Sequence, residues 1–124
     1  MRVLIVDDSP VMRRYVGRTL RLIREDVNID EAANGAEAFY HAVLEQPDLI
    51  ITDLNMPRMR GEELVQRLHT APELRHIPVL VLSADRSEQR SRSMKRAGAV
   101  GYMTKPVTPE MLKESLAGLF KGKL

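Results

Sequence analysis

Val3-Leu4-Ile5-Val6-Asp7-Asp8 runs an apolar stretch straight into two acids, and the chain repeats this arrangement. Leu49-Ile50-Ile51-Thr52 leads into Asp53, Pro78-Val79-Leu80-Val81-Leu82 into Ser83-Ala84, and Gly101-Tyr102-Met103-Thr104 into Lys105-Pro106. Short unbroken apolar runs read as strands buried on both faces, the habit of parallel sheets. The carboxyl ends of such strands lie along one edge, where α/β proteins bind ligands. Three carboxylates (Asp7, Asp8, Asp53), a hydroxyl (Ser83) and an ammonium (Lys105) are therefore expected in one small space.

Helical signals fill the intervals. Ser9-Pro10 offers an N-cap followed by proline at the first helical position, and Met12, Val16, Leu20 and Ile23 form an apolar stripe, so helix 1 is predicted to reach about Arg24. Residues 27–32 alternate apolar and polar, the pattern of a half-exposed edge strand. Asn34-Gly35 opens helix 2, with Ala38, Phe39, Ala42 and Val43 predicted to face inward, and Pro47 ends the connection to strand 3. Helix 3 carries Leu64, Val65 and Leu68, and Pro72 and Pro78 bracket the loop into strand 4. Helix 4, from about Ser87 to Ala97, is thinly apolar, strongly basic and stopped by Gly98. Thr108-Pro109 caps helix 5, with Met111, Leu112, Leu116, Leu119 and Phe120 inward. A succession of βα units implies a doubly wound α/β domain over residues 1–124, its parallel sheet covered on both faces.

Composition sets the surroundings. A chain of 124 residues buries roughly two-thirds of its unfolded surface, enough for one core without staples. The absence of cysteine excludes disulfides and thiolate metal sites and fits a reducing compartment. Strand 1 begins at Arg2, leaving no room for a leader, and no apolar stretch approaches the about 20 residues of a membrane helix, so a cytoplasmic protein without membrane contact is expected. The net charge of +2 does not imply nucleic acid, although an isoelectric point near 9.1 leaves room for an acidic partner.

Clustered acids supply hard oxygens for Mg²⁺, with Mn²⁺ able to substitute; Mg²⁺ takes about six such ligands and keeps several waters. Asp8 and Asp53 suit direct ligation and Asp7 ligation through water. Either acid of the pair also reads as a cap on helix 1, although Ser9 already fills that role. Like charges held together are costly without an offsetting cation. Asp53 reads as a nucleophile that accepts a phosphoryl group as an acyl phosphate, with Lys105 as a point charge and Ser83 and the Ala84 backbone N–H as donors to its oxygens. Taken singly, Lys105 reads as a solvated surface lysine and Ser83 as a helix cap. Their joint placement after successive apolar strands favours the shared site.

These residues resemble the receiver domains of two-component response regulators. The resemblance extends from Val3-Leu4-Ile5-Val6-Asp7-Asp8 through Pro47-Asp48-Leu49-Ile50-Ile51-Thr52-Asp53-Leu54-Asn55-Met56-Pro57 and Gly61 to Ala97-Gly98-Ala99 and Tyr102-Met103-Thr104-Lys105-Pro106. Ser9-Pro10-Val11-Met12-Arg13-Arg14 and Asn55 are most similar to the single-domain chemotaxis-type regulators. The resemblance implies a flavodoxin-like (βα)₅ fold with strand order 2-1-3-4-5 and a cis Lys105-Pro106 bond. It further implies phosphotransfer to Asp53 from a sensor histidine kinase or histidine phosphotransfer protein, with Mg²⁺ on Asp8, Asp53 and the Asn55 carbonyl and Asp7 assisting. Lys105 and Ser83 would contact the phosphoryl oxygens. Ser83 and Tyr102 would then move as a switch, changing the face of helix 4, strand 5 and helix 5 for a downstream protein target, while Asn55 and Asp85 tune water access. Without the resemblance Tyr102 reads as a half-buried strand aromatic. The expected state is a monomer, or a dimer once phosphorylated.

Other features carry less. His41, His69 and His76 lack partners at metal spacing and read as surface or loop residues. The arginines of helix 1 (Arg13, Arg14, Arg18, Arg21, Arg24) read as a solvated face. Those of helix 4 (Arg86, Arg90, Arg92, with Lys95 and Arg96) read as a docking surface for an acidic partner. Two other functions compete with the signalling switch. One is the receiver half of a DNA-binding regulator whose output domain, not this chain, touches DNA. The other is a small aspartate-nucleophile phosphohydrolase, for which Asp7-Asp8 lacks the Asp-x-Asp spacing and no insertion is long enough to form a lid. The chemistry expected is self-phosphotransfer and hydrolysis from Asp53, not turnover of free substrates.

Overall fold

The structure, a computed structural model, describes residues 1–56 and 59–120. Pro57 of the quoted motif and the end of the expected 1–124 domain lie outside the described residues. The elements run β1 (Arg2–Val6), α1 (Pro10–Ile23), β2 (Asn28–Ala32), α2 (Gly35–Glu45), β3 (Leu49–Asp53), α3 (Gly61–Thr70), β4 (Val79–Ser83), α4 (Glu88–Ala97), β5 (Gly101–Thr104) and α5 (Pro109–Leu119). They form one five-stranded sheet in the order β2-β1-β3-β4-β5, parallel throughout.

Alternation along the strands divides the core into two layers. Leu4, Val6, Ile50, Val79 and Val81 pack with Ala38 and Ala42 of α2, Leu64, Val65 and Leu68 of α3, and Met94 of α4. Val3, Ile5, Leu49, Ile51, Leu80 and Leu82 face the other way, against Val16 and Leu20 of α1 and Leu112 and Leu116 of α5. The central strands β3 and β4 are buried at every position, whereas the edge strand β2 buries only Ala32 and leaves its other residues exposed or half-buried.

The predicted caps at Ser9 and Thr108 form, as do caps at Asn34 and Ser87. Ser9 Oγ accepts from Met12 N at 3.2 Å, Asn34 Oδ1 from Glu37 N at 2.9 Å, Ser87 Oγ from Arg90 N at 3.1 Å and Thr108 Oγ1 from Met111 N at 3.2 Å. Each such cap is worth about 1 kcal/mol over alanine. Gly98 ends α4 at φ 125, a conformation open to glycine at little cost. Lys105-Pro106 is cis.

Two expectations fail. Val43 is 46% exposed, because the buried stripe of α2 passes through Ala38 and Ala42 and Val43 lies a further 100° or so round the helix. Arg13 is not part of a solvated face: its side chain is 16% exposed and its Nε pairs with Glu31 at 2.7 Å. Helix α4 buries only Met94 within its own length, as its thin apolar pattern predicts.

Candidate functional site

Parallel register brings the predicted side chains together. Val6 lies opposite Thr52, Asp53 opposite Leu82 and Ser83 opposite Thr104, so the strands end within about two residues of one another and the residues there share one edge. Asp7 N extends the ladder to Ala32 O at 3.1 Å. Asp7 turns inward and is 5% exposed, while Asp8 is exposed. Ser9 N donates to Asp7 Oδ1 at 2.9 Å, and Arg13 Nη1 donates to Asp7 O at 2.6 Å. Asp53 is 6% exposed. Its own carbonyl accepts from the Thr52 hydroxyl at 2.9 Å.

Lys105 reaches back from beyond β5. Its Nζ lies 3.1 Å from Asp53 Oδ1 and 3.6 Å from Asp7 Oδ2. Asp7, Asp8 and Asp53 each offer a carboxylate oxygen within 4.8 Å of the others. Burial pushes the Asp7 carboxyl above its ordinary range; the Ser9 N–H opposes this, the Asp53 charge adds to it and Lys105 opposes it. One ammonium therefore faces three carboxylates, and a hard divalent cation fits the remaining charge and the all-oxygen donor set.

The other predicted residues flank this centre. Ser83 is 1% exposed; its carbonyl accepts from Lys105 N at 2.8 Å and its Oγ accepts from Asp85 N at 3.0 Å, which leaves the hydroxyl proton for another acceptor. Ala84 is exposed beside it. Ser87 N donates to Asp85 Oδ1 at 2.9 Å, and that bond holds the Asp85 carboxyl below its ordinary range. Tyr102 is half-buried with its hydroxyl donating to Asp85 O at 2.7 Å. The tyrosine thus ties β5 to the β4–α4 loop that begins at Ser83. Asn55 is exposed and lines the mouth of the site with Asp8, Met56 and Arg60.

The sequence reading missed Arg13, Thr52 and Arg60. In the sequence Arg13 groups with its exposed neighbours, although its place one turn after Ser9 lets it fold back over the acid loop. Thr52 reads in the sequence only as the end of an apolar run. Arg60 sits at the N-cap of α3, where no side-chain bond caps the helix. His41 is half-buried, its Nε2 3.2 Å from Asp30 Oδ2 on β2, away from the acid cluster. On α4, Arg90 pairs with Glu62 of α3 at 3.0 Å and Arg92 with Glu88 at 3.4 Å.

This chain belongs to the response regulator receiver domain family, whose pattern matches residues 3–117. Chemotaxis protein CheY-3 of Vibrio cholerae is 37% identical over 121 residues, covering 98% of this chain and 92% of that protein. The structure of the chemotaxis response regulator CheY4 of Vibrio cholerae superposes with a TM-score of 0.86 at 34% identity, over 96% of this chain and 98% of that one. The receiver domain of a signal transduction histidine kinase from Syntrophus aciditrophicus matches with a TM-score of 0.86 at 32% identity, over 98% of this chain and 90% of that one. The chain is thus a CheY-like receiver of two-component signalling. No helix among the described residues is long and apolar enough to cross a membrane.

Proposed function

We propose that residues 1–124 form one receiver domain in which Asp53 accepts a phosphoryl group from the phosphohistidine of a sensor histidine kinase or a histidine phosphotransfer protein. The observation that carries this is the Lys105 ammonium 3.1 Å from Asp53 Oδ1, beside an acid cluster within 4.8 Å. A carboxylate oxygen of Asp53 forms the new P–O bond as the donor's P–N bond breaks, and the departing imidazole nitrogen takes up a proton. Hydrolysis then cleaves the P–O bond by water, returning the carboxylate and inorganic phosphate. Mg²⁺, or Mn²⁺ in its place, held by Asp8, Asp53 and the Asn55 carbonyl with Asp7 through water, would neutralise charge on the phosphoryl oxygens. Lys105 and Ser83 contact those oxygens, and the Ala84 N–H adds a donor.

Ser83 is also the start of the switch. When its hydroxyl turns to a phosphoryl oxygen, the bond from Asp85 N is lost, and the loop that anchors the Tyr102 hydroxyl moves with it. The change reaches the α4, β5 and α5 face, where a groove is lined by Tyr102, Met103, Thr104, Met111, Glu114 and Ser115. A downstream protein docks there, with Lys95, Arg86 and Arg96 available to an acidic partner. Chemotaxis in the cytoplasm is the pathway and compartment we assign, with no direct contact to nucleic acid or membrane and with a monomer that dimerises, if at all, on phosphorylation. The test is incubation with acetyl phosphate and Mg²⁺ followed by hydroxylamine. One phosphoryl group per chain, released by hydroxylamine as an acyl phosphate is, supports the reading; a hydroxylamine-stable ester contradicts it.

A further inference from the structure

We propose that Arg13 is a positioning residue for the metal site: its guanidinium, locked by Glu31, fixes the peptide plane between Asp7 and Asp8 and so aims the Asp8 carboxylate. The inference rests on reading this site as metal-dependent. The β1 ladder ends at Val6, opposite Ala32 and Thr52, and Asp7 N makes one further bond to Ala32 O. Among the described residues Asp7 O then has no backbone partner. A carbonyl in so buried a residue needs a donor, and Arg13 Nη1 supplies one at 2.6 Å. A charged donor makes a stronger bond than a neutral one.

The carbonyl it holds belongs to the same rigid peptide unit as the Asp8 N–H. Fixing that plane fixes where Asp8 departs from the strand. Arg13 is itself held from both ends. Its backbone N–H donates to Ser9 O at 3.0 Å, and its Nε lies 2.7 Å from Glu31 Oε1 on the edge strand. Glu31 also cancels a positive charge that would otherwise repel a cation at the acid cluster. Arg14, the next residue, is exposed and has no ion pair among the described residues; it makes a control of equal charge.

The experiment is Mg²⁺ titration by calorimetry, which requires no phosphotransfer, on the full chain and on Arg13→Gln, Arg13→Lys, Glu31→Gln and Arg14→Gln. Arg13→Gln is expected to weaken Mg²⁺ binding about tenfold or more, the usual effect of removing a partner behind a ligand. Arg13→Lys, which keeps a charged donor, recovers part of that loss. Glu31→Gln weakens binding about two- to threefold, and added salt shrinks this loss because it comes from an uncancelled charge. Arg14→Gln binds as the native chain does. A folded Arg13→Gln protein with native affinity, or an equal loss in Arg14→Gln, overturns the inference. If Arg13→Gln does not fold, native affinity in both Arg13→Lys and Glu31→Gln overturns it. A native chain that binds no Mg²⁺ removes the metal reading and the inference together, whereas native binding untouched by the variants removes only the inference.

Discussion

Replacing Gly61 by alanine should destabilise the protein, while the same change at Gly118 should stabilise it. A Cβ on Gly61 would lie 2.3 Å from Asp53 O, 2.8 Å from Leu54 Cα and 3.1 Å from Asp53 C. The nearest of these is roughly 1 Å short of an ordinary contact. All three atoms are backbone at the end of β3, so none can rotate aside. Relief requires α3 to move outward, which stretches the bond from Gly61 N to Leu54 O, now 3.1 Å, and disturbs the buried Leu64, Val65 and Leu68. Overpacking of this kind costs about 1–3 kcal/mol and a weakened hydrogen bond about 1 kcal/mol. A loss of about 2–4 kcal/mol follows, or roughly 6–20 °C in Tm for a domain of this size. At Gly118, exposed in α5, a Cβ would meet nothing within 4 Å. Alanine there gains up to about 0.5–1 kcal/mol from helix propensity. Urea unfolding of the metal-free variants reads both effects. Mg²⁺ affinity should fall only for Gly61→Ala, because that residue abuts the Asp53 carbonyl. A Gly61→Ala protein within about 0.5 kcal/mol of native, inside the range of ordinary surface changes, would refute the reasoning.

Asp7 makes stability depend on pH. Burial raises its carboxyl above the ordinary 3.8, so the native state keeps a proton that the unfolded chain has released. The stability from this group is fully present below the ordinary value and is lost as pH rises through the raised native one. In chelator, Asp7→Asn should therefore be more stable than the native chain near neutral pH, with the gap closing on acidification; a pH-independent gap in urea unfolding would contradict this. Lys105→Met removes the ammonium between Asp53 and Asp7, and should cost the metal-free protein about 1–3 kcal/mol, a loss that thermal melts will show to shrink when Mg²⁺ is added. Tyr102→Phe loses the bond to Asp85 O and should cost about 0.5–1.5 kcal/mol in urea unfolding, with the fold unchanged.

The fold was legible because its determinants are local. Val79 to Leu82 has no polar residue to place it on a surface, Ser9-Pro10 and Thr108-Pro109 mark helix starts, and the mixed apolar and polar residues of 27–32 mark an edge. The acid cluster was legible for the same reason, since Asp7, Asp8, Asp53 and Lys105 need only the ends of parallel strands to meet. Arg13 was not, because what distinguishes it from Arg14 is a partner on β2, distant in sequence, that no helical pattern reveals. Val43 was misplaced because the buried stripe of α2 runs through Ala38 and Ala42, and a step of about 100° from Ala42 carries Val43 out to solvent. The pairing of Arg90 with Glu62 likewise depends on how α3 and α4 lie side by side. Periodicity alone places Tyr102 as a half-buried strand aromatic, which it is, but does not reveal the bond from its hydroxyl to Asp85 O.

The most direct test of the central claim is intact mass after incubation with acetyl phosphate, with and without Mg²⁺, for the native chain and Asp53→Asn. A single phosphoryl adduct that needs Mg²⁺ and is absent from the variant is the predicted result. No adduct on the native chain, even with a purified kinase as donor, or an undiminished adduct on Asp53→Asn, would contradict the assignment of Asp53 as the phosphoacceptor.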